Sequence, residues 1–301
     1  MTTHHEHHPP EPPPTPTSSI FNPEDPFEQV RLQQLDTLMN RILQHPLAGL
    51  PEALVARMGT VLDLACGPGG WVLDVAFSHP HMDVAGIDLS QSIIDYANAC
   101  ARTQKVRNAS FGVMDLRERL DFSDATFDFI NGRFLGSVLT RTEWSALLSE
   151  SARLLKPGGV MRLTDMESYV PCTSQAFTRL NGWLTQALHQ AGYGFAPPGV
   201  PGAYVITPRL PSLLIEAGFE DLQLLPYVID CSAKSPEGLD CRYLAELTYG
   251  QAKPLICGQD LTTPEEYDHT WQQATSEMRS PNFCGLLYGL TVWGFKREED
   301  Q

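Results

Sequence analysis

The sequence predicts an α/β fold, a mostly parallel sheet with helices on both faces. Two observations carry that expectation. From residue 60 onward, short apolar runs alternate with longer segments of helical period. One of those runs ends in a glycine-rich turn that opens directly into a helical segment. Buried strands joined by helices must pair in parallel, because a parallel partner is reached only through a crossover, and the crossover helices then cover the sheet.

The elements follow in order. Residues 1–19 are rich in His, Pro and Thr and nearly free of large apolar side chains, a composition expected to be disordered. Between 25 and 44, Phe27, Val30, Leu35, Leu38, Met39, Ile42 and Leu43 fall mostly on one helical face, and Pro26 suits a first turn. This makes 20–58 an N-terminal helical segment. Strands are expected at 61–65, 82–87, 109–113, 127–131 and 160–164, and helices at 71–77, 91–102 and 143–155. After Asp165 the rhythm breaks. A helix at 174–191 leads into a Gly/Pro-rich loop, 192–208, then a helix at 209–217 and a strand at 222–229. A further insertion, 235–281, precedes a last strand at 285–295. Insertions about 170–208 and 235–281, late in a regular sheet, are natural lids over a ligand crevice within a domain running 59–301.

Composition narrows the partners. The formal net charge is −15, from 21 Lys/Arg against 36 Asp/Glu, and an acidic surface repels phosphates, so no nucleic acid is expected. The seven cysteines form no C-x-x-C pair, which gives a zinc site or disulfide framework no support. No apolar run approaches the roughly 20 residues of a membrane span, and no signal peptide opens the chain. A cytoplasmic protein with reduced thiols, no bound metal and no membrane partner is the expectation.

The strongest local signal is Val61-Leu-Asp-Leu-Ala-Cys-Gly67-Pro-Gly69-Gly70-Trp71. Glycine in such a turn takes backbone angles barred to other residues and lets a ligand approach the main chain, while free amides at the helix start receive polar groups. About 20 residues beyond Gly67, at the end of the next strand, stands Asp88, where a carboxylate can accept from both hydroxyls of a ribose. Ser90 is placed to cap the following helix. A dinucleotide fingerprint would ask for glycine or alanine where the chain has Val72.

These residues resemble the class I S-adenosylmethionine-dependent methyltransferases, closely over about 60–165 and more loosely from residue 25. The resemblance rests on Leu62-Asp63-Leu-Ala-Cys-Gly67-Pro68-Gly69-Gly70, on Asp88, on Val113-Met114-Asp115-Leu116, on Phe127-Asp-Phe-Ile-Asn-Gly-Arg133-Phe-Leu and on Leu154-Leu-Lys-Pro-Gly158-Gly159. It implies a Rossmann-like sheet of seven strands whose last is antiparallel and inserted beside the fifth. The ending Val292-Trp293-Gly294-Phe295-Lys296 resembles the small-molecule, quinone and sterol-methylating groups.

It also implies roles. Ala65, Gly67 and Gly69 pack against the cofactor's methionine part, and Asp63 supports its ammonium. Asp88 holds the ribose and Leu89 covers the adenine. Asp115 accepts from the exocyclic amine, with Met114 and Leu116 beside the ring. Asn131 and Arg133 end the fourth strand near the sulfonium. Arg133 either meets the methionine carboxylate or forms an ion pair within the fold, and Arg31 is a second candidate for that carboxylate. Phe134, Glu167, Tyr169 and Trp293 are expected around the acceptor. No residue stands out as a catalytic base: His189, Tyr193 and Tyr204 are the weak candidates, since a lone histidine is more often a surface or satisfied core residue and tyrosines in such segments more often pack than catalyse.

The implied reaction is in-line, metal-independent methyl transfer from S-adenosylmethionine to a small apolar or aromatic metabolite, leaving S-adenosylhomocysteine. Two alternatives share the glycine turn. One is an NAD(P)-dependent oxidoreductase; the other binds S-adenosylmethionine without transferring methyl.

Overall fold

The computed structural model describes residues 20–22, 24–168, 170–197 and 203–297; the His-rich 1–19 tail and Tyr169 lie outside them. Strands are β1 (Thr60–Leu64), β2 (Asp83–Asp88), β3 (Ala109–Val113), β4 (Phe127–Arg133), β5 (Leu155–Met166), β6 (Phe219–Asp230) and β7 (Leu286–Lys296). They form one sheet in the order β3-β2-β1-β4-β5-β7-β6. All pairs from β3 to β5 are parallel, and β7 runs antiparallel between β5 and β6. This is the expected Rossmann-like arrangement of seven strands.

Helices are α1 (Pro26–Leu43), α2 (Glu52–Val55), α3 (Gly70–Ser78), α4 (Gln91–Gln104), α5 (Trp144–Leu154), α6 (Gln175–Gln190), α7 (Leu210–Glu216), α8 (Gly238–Gly258) and α9 (Pro264–Met278). The single turn of α2 falls within the 20–58 helical segment, beyond the helix read at 25–44. Their starts follow capping chemistry. Asp25 accepts from the amide of Phe27 at 2.9 Å, Ser90 from Ile93 at 3.2 Å and Ser174 from Phe177 at 2.9 Å, each satisfying an amide that has no intrahelical partner.

Strand periodicity divides the core in two. Leu62, Leu64, Ile130, Met161 and Leu163 point to one face, in a cluster with Trp144 and Leu148 of α5 and Leu213 of α7. Val61, Phe129 and Val160 point to the other, with Trp71, Val72 and Val75 of α3. Both faces of the central strands are therefore buried, as a parallel sheet requires. The inserted helices α6, α8 and α9 extend the first cluster beyond the sheet, through Phe177, Tyr249 and Met278. They roof the crevice at the C-terminal ends of β1, β4 and β5. Among the described residues no helix is long and apolar enough to cross a membrane.

Candidate active site

A cavity of about 290 Å³ lies at those strand ends. One end is walled by the glycine turn (Ala65, Cys66, Gly67, Pro68), by Asp88 and Leu89 after β2, and by Met114, Asp115 and Leu116 after β3. The other runs under the roof between Phe134, Val170, Phe177, Leu184, Met278 and Phe283. Open α/β sheets bind ligands at this place, outside the carboxyl ends of strands where the chain order reverses.

The glycine turn is held by its neighbours. The Gly67 amide donates to Asp88 Oδ2 at 3.0 Å, and the Ser90 amide donates to Asp88 Oδ1 at 3.0 Å. Burial pushes the Asp88 carboxyl above its ordinary range, and these amides pull it back. Gly67 sits at φ +54° with nothing closer than Leu32, 3.7 Å from where a Cβ would stand, so its bare face opens to the cavity. Two non-glycine residues at the crevice, Ala65 and Phe134, also take left-handed backbone, at φ 50° and 58°. Backbone strain of this kind is often concentrated at functional sites.

Asp63 and Asn131 are brought together, but beneath the cavity wall. Asn131 Nδ2 donates to Asp63 Oδ1 at 2.6 Å, and Arg162 Nε donates to Asn131 Oδ1 at 2.8 Å. Burial lifts Asp63 to about 6 against the opposing pull of Arg133. Arg162, which the sequence reading passed over, is 1% exposed and lies over the rings of Trp71 and Phe129. Burial lowers its guanidinium to about 9.

The wall is rich in paired charge. Arg31 grips Glu28 through two bonds of 2.7 Å, Arg117 pairs with Asp115 at 2.6 Å and Arg133 with Asp36 at 2.8 Å. Arg133 Nε is buried with no partner among the described residues. The Asp36 carboxylate lies against the glycine turn, 2.0 Å from where a Cβ on Gly70 would stand; a side chain there would displace that carboxylate. Glu28, Asp36, Asp88, Asp115, Asp165 and Glu167 face only Arg31, Arg117, Arg133 and Arg242 across the wall, an excess of negative charge.

Several expected residues sit elsewhere. Gly69 is off the wall, and a Cβ on it would stand 2.6 Å from the Phe111 ring, so packing alone excludes a side chain there. Trp293 is also off the wall. It lies in the α3-side cluster, and its indole donates to the Gly49 carbonyl at 3.2 Å. The reason is strand direction: β7 runs antiparallel, so its early residue Leu287 reaches the crevice and Trp293, paired with Arg162, lies away from it. His189 and Tyr193 do not line the cavity; Arg141 ties them, standing 3.3 Å from the imidazole Nδ1 and donating to the Tyr193 carbonyl at 3.1 Å. Tyr204 is on the wall, but its hydroxyl donates to the Gly136 carbonyl. Glu167 is on the wall too, yet it accepts from the Val205 and Thr207 amides and the Thr207 hydroxyl, at 2.9, 2.8 and 2.7 Å. It clamps the loop before α7.

The wall also holds residues that sequence reasoning missed: Asp36, Asp165, Phe177, Asn181, Tyr249 and Phe283. Asp165 ends the recognisable part of the chain, and a polar residue at the end of an apolar strand was the available signal. The others come from helices whose packing no local pattern reveals.

Comparison with known proteins agrees with this geometry. Residues 61–159 match the model of a methyltransferase domain family. The demethylmenaquinone methyltransferase of Lactococcus lactis is 32% identical over 129 residues, 40% of this chain and 50% of that protein. The methyltransferase pytC of Aspergillus terreus is 25% identical over 253 residues, 81% of this chain and 73% of that one. The YcgJ protein of Bacillus subtilis has a similar fold, with a TM-score of 0.51 at 17% identity over 80% of this chain and 93% of that chain. The aligned region thus spans about half the length of the Lactococcus lactis relative.

Sheet order, glycine turn and matched segment together give residues 61–159 the fold of a methyltransferase domain. Residues 61–159, from β1 to the turn within β5, are the part of the chain that matches a methyltransferase domain, and the remaining strands and the roof complete the sheet and the crevice around it. The wall fits S-adenosylmethionine. A turn with no Cβ at Gly67, a carboxylate at Asp88 and apolar Met114 and Leu116 suit a nucleoside, and the acidic excess suits a cationic sulfonium better than a diphosphate.

Proposed function

We propose that this protein transfers the methyl group of S-adenosylmethionine to a small apolar or aromatic acceptor by in-line displacement. The observation that carries the reading is the single cavity running from the glycine turn to the apolar chamber under α6, α8 and α9. The cofactor supplies an activated methyl; the chain's own part is to align the two reactants and exclude water.

In this reading Asp88 holds the ribose, and Leu89, Met114, Asp115 and Leu116 hold the adenine. Arg133, with its unpartnered Nε, meets the methionine carboxylate. Arg31 is bound to Glu28 and is the lesser candidate for it. Phe134 borders the acceptor. Asp63 and Asn131 act from below, fixing the ends of β1 and β4.

Calorimetric titration of the 301-residue protein with S-adenosylmethionine, S-adenosylhomocysteine and NAD(H) in parallel tests the reading. Micromolar binding of the two sulfur ligands alone supports it, and binding of NAD(H) alone overturns it. Turnover is then followed as S-adenosylhomocysteine release over a panel of aromatic acceptors; tight binding with no release over the panel would favour a protein that binds the cofactor without using it.

A further inference from the structure

Asp165 stands near the end of β5, on the cavity wall and 5% exposed. Its Oδ2 accepts from the Gly136 amide at 2.8 Å and its Oδ1 from the Met166 amide at 2.9 Å. An ionised carboxylate offers about four acceptor positions, so both oxygens keep a free lone pair. The nearby phenols do not use them. The Tyr204 hydroxyl donates to the Gly136 carbonyl, and the Tyr227 hydroxyl donates to the Asp165 carbonyl at 3.1 Å.

Among the described residues no cation compensates this group. Burial lifts it to about 7, the two amides lower it only partly, and the charge that faces it, Glu167, pushes it the same way. Other buried acids of the site have partners: Glu28 has Arg31, and Asp63 has Asn131. A buried carboxyl that has two amide donors but no cation beside it is costly to ionise. One that is also on a cavity wall, with a titration point near neutrality, is suited to taking a proton from a bound ligand.

We propose that Asp165 is the proton acceptor of the reaction and that the acceptor substrate presents a phenolic or enolic hydroxyl to it. The inference rests on the methyl-transfer reading above. The O–H bond breaks and its proton passes to Asp165. The oxygen electron pair forms the new bond to the methyl carbon, and the carbon–sulfur bond breaks with its pair left on sulfur. A carboxylate and a sulfonium thereby become a carboxylic acid and a neutral thioether, and the substrate leaves as its methyl ether. The step cancels two opposite charges inside an apolar chamber. An amine fits less well: beside an unpaired carboxylate it would be held as an ammonium, which has no lone pair to attack with.

The test uses the 301-residue protein saturated with S-adenosylhomocysteine and titrated with β-naphthol or with its methyl ether. At about pH 8, wild type is expected to prefer the naphthol by about tenfold. At about pH 6, where Asp165 is largely protonated, the preference should collapse. Asp165→Asn should lack it at both values while binding S-adenosylhomocysteine as wild type does, which shows that the variant is folded. The wild-type pH series stands without the variant. A preference that survives in the variant or at the lower pH overturns the proposal, and so does a wild type that prefers neither compound. Failure of S-adenosylhomocysteine to bind wild type instead sinks the methyl-transfer reading.

Discussion

The carboxylate of Asp88 accepts the amide proton of Gly67 at 3.0 Å, so the end of β2 holds the glycine turn that follows β1. The same carboxylate is the proposed ribose ligand, and its removal should be felt twice. Asp88→Ala is expected to weaken S-adenosylmethionine binding by about 1.5–3 kcal/mol, the usual cost of losing a charged hydrogen-bonding group. Asp88→Asn keeps an acceptor for one amide and should fall between. Calorimetry reads both. Unchanged affinity in the alanine variant would mean that the ribose is held elsewhere.

The two glycines of the turn separate binding from stability. A Cβ on Gly67 would project into open cavity, whereas one on Gly69 would strike the Phe111 ring at 2.6 Å. Both have positive φ, which costs a side chain about 1–2 kcal/mol. Gly67→Ala should therefore lose cofactor affinity with only that modest loss of stability. Gly69→Ala should add overpacking of about 1–3 kcal/mol and unfold at a clearly lower temperature. Thermal melts beside titrations check the pair; equal melting losses would sink the distinction.

The sheet was legible because strand and helix periods differ and because glycine turns, caps and apolar runs are local signals. What sequence could not provide was depth. Asp63, Asp88 and Asp115 look alike as carboxylates at strand ends, yet Asp88 and Asp115 reach the cavity wall and Asp63 lies beneath it, bound to Asn131. Arg162 appeared as one charge in an apolar strand, and only three-dimensional packing places it over Trp71 and Phe129. The roof was legible as an insertion but not as a surface, since Asn181 and Tyr249 meet across α6 and α8 through a 2.8 Å hydrogen bond.

Trp293 shows what strand direction decides. Its indole is bonded to Gly49 and packed edge-on against Phe295, which joins β7 to the segment after α1. Trp293→Phe should cost about 1–3 kcal/mol of stability, from the lost hydrogen bond and a partly unfilled space. Acceptor and cofactor affinities should stay at wild-type values. Denaturant unfolding and calorimetry measure the two, and a selective loss of acceptor binding would return the residue to the substrate site.

Stability should fall as pH rises through the mildly acidic range, because the buried acids bind protons more tightly when folded. Burial holds Asp63 at about 6 and Asp165 at about 7, against 3.8 for an unperturbed aspartate. Between those values the folded chain keeps protons that the unfolded chain has released, so rising pH favours unfolding. The contribution is fully present below the unfolded value and is gone once pH passes the folded one. Each group contributes at most about 1.4 kcal/mol per pH unit inside its window. Asp115, Asp128, Glu150 and Glu277 are shifted the other way; their stabilisation is lost in more acid solution, as pH falls through their folded values. Above about pH 6, Asp165 is still titrating in the fold. The melting temperature of ligand-free wild type should therefore decline from about pH 5 to about pH 7. Asp165→Asn should show a shallower decline, with the gap between the two proteins widening up to about pH 7 and constant beyond it. A gap that does not vary with pH would mean that Asp165 titrates as an exposed carboxyl does.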